Sequence, residues 1–162
     1  MTGSFSVELE QAYVRTERYN IINDKWEELA PLNQGRALHA SSAFNQRHVF
    51  VFCGVEMPKG GLCCSIERLD MQDTASGWKT VQIPEARNQL TRPRQVPAVA
   101  QISTGEIVIM GGFAISSALK GLFKSEVGGE DGLSDIYVYN VGKKSVTRID
   151  ENAEMVATTR EQ

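Results

Sequence analysis

The sequence predicts an all-β chain assembled from a repeated unit of four antiparallel strands, and three observations carry that expectation. A phrase recurs: Glu17-Arg18-Tyr19-Asn20, followed by Trp26 and Leu29, returns as Glu67-Arg68-Leu69-Asp70 with Trp78 and Val81, and again as Tyr139-Asn140 with Val146 and Ile149. A longer block, Arg36 to Gly54, aligns without a gap on Arg94 to Gly112 and sets Val49-Phe50-Val51-Phe52 against Ile107-Val108-Ile109-Met110. Both copies read strand, turn, strand, because β-branched and aromatic runs flank the turn residues Asn45-Gln46-Arg47 and Ser103-Thr104-Gly105. Self-similarity at about 50 residues with short strands is the sequence mark of β-propeller blades.

Taken in order, Phe5, Val7 and Leu9 alternate with Ser6, Glu8 and Glu10, which predicts a half-buried strand ahead of the Tyr13 to Asn20 strand. With the strand at Trp26 this makes half a unit over residues 5–32. A full unit follows over 36–84 and a second over 92–149, with residues 113–134 as an inserted loop; residues 151–162 read as a polar C-terminal tail. The units differ most in that loop, since Gly54 to Leu69 spans fifteen positions and Gly112 to Tyr139 spans twenty-seven. Long loops on a rigid scaffold are where binding concentrates. Ile115, Leu119, Leu122 and Phe123 fall on one helical face, so Leu119, Leu122 and Phe123 are candidate partner-binding residues; the alternative is that this face packs down on the sheets. Arg87, Arg92 and Arg94 gather before a strand. Arg92 and Arg94 are candidates for the same surface, although an arginine that recurs as Arg36 and Arg94 do also serves to tie a loop to the next unit.

Gly54, Gly111 and Gly112 close buried strands, where glycine permits positive φ or a close backbone approach; Cys53 stands at the first glycine position and is expected to have negative φ. Trp26 and Trp78 are expected to pack between adjacent units. Together with the Tyr19-Asn20 and Tyr139-Asn140 steps, these residues resemble the kelch repeat family over about Tyr13 to Ile149. Leu69 replaces the tyrosine and Val146 the tryptophan of that pattern. The resemblance implies a kelch-type propeller of two blades plus a half-blade, and a non-catalytic protein-interaction scaffold or adaptor that binds through inter-strand loops. Some kelch propellers are copper oxidases or sugar isomerases, which is the enzyme alternative. Others recognise substrates for ubiquitin ligases behind a BTB domain, for which Met1 to Tyr13 has no room, so the chain would be a fragment of such an adaptor or need another subunit.

About two and a half units are present, whereas propellers typically close with about four to eight blades. Three explanations compete: the chain is a piece of a longer protein, it completes a ring with copies of itself or another protein, or it stands open with its ends covered. A net charge of −3 and 41% hydrophobic residues point away from nucleic acid. No run approaches a membrane span, and Met1-Thr2-Gly3-Ser4-Phe5 lacks the pattern of a secretory signal, so a cytoplasmic protein is expected. Cys53 and the adjacent Cys63-Cys64 form neither a disulfide framework nor a zinc spacing. His39 and His48 have no carboxylate or cysteine at metal spacing. No catalytic residue, metal or cofactor is expected.

Overall fold

A computed structural model of the chain describes residues 2–6, 11–56, 61–114 and 132–149, with side chains from Val14 onward. Among the described residues the chain is all-β and forms three antiparallel sheets, none closed on itself. The first sheet holds β1 (Thr2–Ser6), β2 (Gln11–Asn20) and β3 (Lys25–Leu29) in that order. The second runs from β4 (Arg36–Ala37) and β5 (Ala40–Phe44), both paired to β6 (His48–Glu56), through β7 (Gly61–Asp70) to β8 (Lys79–Thr80). The third places β9 (Ala98–Gln101), β10 (Glu106–Met110), β11 (Ile136–Asn140) and β12 (Ser145–Ile149) side by side.

The sheets hold three, five and four strands, so the second exceeds the expected four-strand unit, yet they repeat one another in register. Val51 faces Glu67 as Ile109 faces Tyr137, and Ala37 faces Val55 as Gln95 bridges to Phe113. The register between β6 and β7 shifts between Phe52 and Gly54, and that between β1 and β2 shifts at the matching place, between Thr2 and Ser4. The Asn/Asp step of the recurring phrase has one job in all three sheets. Asn20 Oδ1 accepts from the Ile22 and Asn23 amides, Asp70 Oδ1 from Gln72 and Asn140 Oδ1 from Lys143. A short side-chain acceptor at this point satisfies the amides of the following turn, which is why Asn or Asp ends the strand each time.

The core forms where the sheets stack. Alternate residues of β6 point to opposite faces, so Phe50 and Phe52 turn towards the third sheet while Val49 and Val51 turn towards the first. Between the second and third sheets Phe44, Phe50, Phe52, Ile66, Ile107, Ile109, Tyr137, Tyr139 and Val146 are buried together. Between the first and second, Leu32, Val51, Leu69 and Trp78 form a smaller cluster.

Four expectations need correction. The first strand begins at Thr2 rather than Phe5, with residues 7–10 outside the described set. Trp78 precedes a two-residue strand. Trp26 is 60% exposed and lies beside Tyr19, ring centroids 5.3 Å apart, because no described sheet covers that face. Trp78 does pack between sheets, its Nε1 donating to Thr16 Oγ1 at 3.1 Å and to the Ala30 carbonyl at 3.0 Å. Cys53 adopts φ +60°, matching Gly111 at +58°, so a buried side chain is carried in the left-handed region where a negative φ was expected. Cys53 is the residue left between Phe52 and Gly54 where the β6–β7 register shifts, and such a bulge accommodates the left-handed conformation.

Candidate functional site

The loops entering the second and third sheets are each held by a buried arginine. Arg36 has no exposed surface, and its Nη2 meets Glu67 Oε1 at 2.7 Å and Ser65 Oγ at 2.9 Å. Its Nη1 donates to the carbonyls of Cys53 (3.0 Å) and Ser65 (3.1 Å). The other oxygen of Glu67 accepts from the Asn33 amide at 2.9 Å, and Asn33 Nδ2 donates to the Trp78 carbonyl. One ion pair thereby fixes the passage from the first sheet to the second.

Arg94 repeats the device with the acid moved. It grips Asp135 in a bidentate pair, 2.7 and 3.1 Å, and donates to the Gly111 carbonyl, the counterpart of Cys53, at 2.9 Å. The strand register equates Ser65 with Asp135 and Glu67 with Tyr137. In the second sheet the hydroxyl precedes the carboxylate, and in the third the carboxylate precedes a tyrosine. The Tyr137 ring lies under the guanidinium, 4.8 Å away, and its hydroxyl donates to Asp135 at 2.9 Å. Burial works to raise the Asp135 carboxyl, but the hydrogen bonds from Arg94 and Tyr137 outweigh it and hold the group below its ordinary range.

This geometry corrects the candidate list. Arg94 is buried and tied to Asp135, and its own carbonyl accepts from the Gly54 amide at 2.9 Å, so it joins sheets and presents nothing to a partner. Arg92 is exposed beside it. Leu119, Leu122 and Phe123 lie outside the described residues. Of the residues chosen for the repeat, Gly54, Gly111 and Gly112 all have positive φ, Tyr139 is buried in the core, and Tyr19 is exposed with its hydroxyl bonded to Asp24.

The structure adds two residues that the sequence reading passed over. Leu38 and Val96 follow the clamped arginines at equivalent positions, and both hold φ in the left-handed region, +54° and +51°. Their side chains are 43% and 51% exposed, and the Val96 amide donates to the Leu38 carbonyl at 2.7 Å. Two aliphatic side chains from adjacent sheets are thus displayed together, each in a conformation that costs a non-glycine residue about 1–2 kcal/mol. The gapless alignment of the two blocks already pairs these positions, but no side-chain pattern announces positive φ at a leucine or a valine.

A partly open groove of about 230 Å³ runs between the first and second sheets, lined chiefly by Leu29, Val49, Leu69, Met71 and Trp78 with Thr16 and Arg18 at its polar side. The cysteines are reduced, and burial pushes the Cys53 thiol up to about 12, so it stays protonated. Burial lowers the His48 pKa, with Arg68 adding to the effect, so the imidazole favours its neutral form. Among the described residues no three histidine, cysteine or acidic side chains gather as a metal site would require, and no helix is long and apolar enough to cross a membrane. No protein-family model matches the chain, and no curated protein matches it.

Proposed function

We propose that the chain is a non-catalytic, cytoplasmic protein-interaction scaffold made of kelch-type propeller blades, two full and one partial, which binds another protein through its inter-strand loops. The observation that carries this reading is the paired display of Leu38 and Val96. The two side chains stand exposed at equivalent strained positions on a clamped scaffold, and strained, exposed loop positions concentrate where a partner is met. The buried arginine pairs beneath them keep the two loops from relaxing. Arg92, exposed next to the third-sheet loop, adds a cation at the rim.

The test is a comparison of wild-type protein with the Leu38→Asp/Val96→Asp double variant, each immobilised and exposed to the same cell extract, with bound proteins quantified by mass spectrometry. A discrete set retained by wild type and lost from the folded double variant supports the reading. Identical sets on both would overturn it.

A further inference from the structure

The first and third sheets each keep one face that no other sheet covers among the described residues, and the two faces are complementary in register. On the third sheet Val108 pairs with Val138 and Met110 with Ile136; directly paired residues share a face, and this one points away from the second sheet. Met110, Ile136 and, beyond it, Ile149 are 39%, 36% and 44% exposed. Val108 and Met110 stand in the third sheet where Phe50 and Phe52 stand in the second. Those two phenylalanines receive Tyr139 of the following sheet, with ring centroids 5.7 and 6.1 Å from it. The third sheet therefore presents a receiving face on which no described residue of a further sheet is seated.

The first sheet begins on the opposite kind of face. Tyr19 and Trp26 are direct partners across β2 and β3, as Tyr139 and Val146 are across β11 and β12. In the third sheet that pair is the part inserted against its neighbour, and Leu69 with Trp78 does the same in the second. In the first sheet the equivalent pair is aromatic and 44% and 60% exposed. Two internal interfaces thus use one register, and the two open faces are the unmatched halves of a third.

We propose that the Tyr19–Trp26 face of one copy seats on the Val108–Met110–Ile136–Val138 face of a second copy of this chain, continuing the internal stacking between molecules. An aromatic pair entering an aliphatic patch, with Glu106 of the same face at its rim, is the composition of an interface centre, where a few anchors dominate affinity. The contact is head-to-tail, so it generates rings or filaments instead of stopping at a two-fold dimer. This goes beyond the scaffold reading and stands on the stacking register alone.

Sedimentation velocity over a wide concentration range tests it with Trp26→Asp and Met110→Asp, both at exposed positions. Wild type is expected to associate, and each variant to lower the association constant at least about 30-fold, with an unchanged unfolding midpoint. Mixing the two variants is the decisive arm. Each retains the face that the other has lost, so together they form a dimer and nothing larger. A monomeric wild type, a variant that still self-associates at wild-type strength, or a mixture that fails to pair overturns the proposal. So does a marked fall in the Met110→Asp midpoint, which would mean that another part of the same chain covers the face. Failure here with loop-dependent capture intact leaves the scaffold reading standing, so the two are separable.

Discussion

A guanidinium with no exposed surface is tolerated when its donors largely meet charge or carbonyl oxygen; Arg94 and both Nη groups of Arg36 do so with different acids at different positions, while Arg36 Nε is left without a hydrogen-bond partner. Breaking one side of such a pair leaves the other charge buried and alone. Asp135→Ala is therefore expected to destabilise the protein by about 3–5 kcal/mol in urea denaturation, whereas removing exposed Arg15 from its contacts with Glu17 and Glu28 should have little effect. The same pair sets an acid limb. Because the folded Asp135 carboxyl titrates below its unfolded value, near 3.9, its contribution is complete above that value. It is lost as pH falls through the folded value. Stability measured from neutral pH down to the acid range should fall less steeply at its acid end for Asp135→Asn than for wild type; parallel profiles would contradict the assignment.

At the scale of the element, Gly54 inside β6 and Gly112 just past β10 decide how closely the entering loop approaches. A Cβ on Gly54 would lie 2.7 Å from the Ala37 carbonyl oxygen, and one on Gly112 2.6 Å from that of Gln95, while both backbones sit at φ near +100°. Gly112→Ala is expected to cost about 3 kcal/mol or more by combining a disfavoured φ with a clash against backbone, and Gly61→Ala, which meets nothing, is the control. Equal unfolding midpoints for the two would refute this. These glycines were legible in the sequence because glycine is itself the signal, as were the apolar runs of β6 and β10 and the Asn/Asp turn acceptors. Cys53, Leu38 and Val96 were not, since positive φ at these residues comes from tertiary register and leaves no compositional trace. The arginine clamp was half legible. Arg36 and Arg94 align, but their acids do not, and only the strand register equates Ser65 with Asp135 and Glu67 with Tyr137.

Across the whole molecule, stacked sheets contact only their neighbours, so stability divides into a sum over interfaces. These are unequal here. Among the described residues, eleven buried ones fill the second–third interface and four the first–second, where a groove of about 230 Å³ also remains. The exposure of Trp26 has the same origin: a repeat position is buried only when a neighbouring sheet covers it, and among the described residues no sheet covers that side of the first. The first sheet should therefore open before the rest. In native-state hydrogen exchange the paired amides of β2 and β3 are expected to exchange through a sub-global opening of the first sheet, while those of β10 and β11 exchange through openings of the third sheet that leave the first–second interface intact. Trp78→Phe removes the bonds to Thr16 and to the Ala30 carbonyl, worth about 1–2 kcal/mol together, and should speed exchange in β2 and β3 about tenfold. Exchange in β10 and β11 should stay unchanged under conditions where those amides open locally. If that substitution accelerates all three sheets alike, they unfold as one unit and the interface-by-interface description fails.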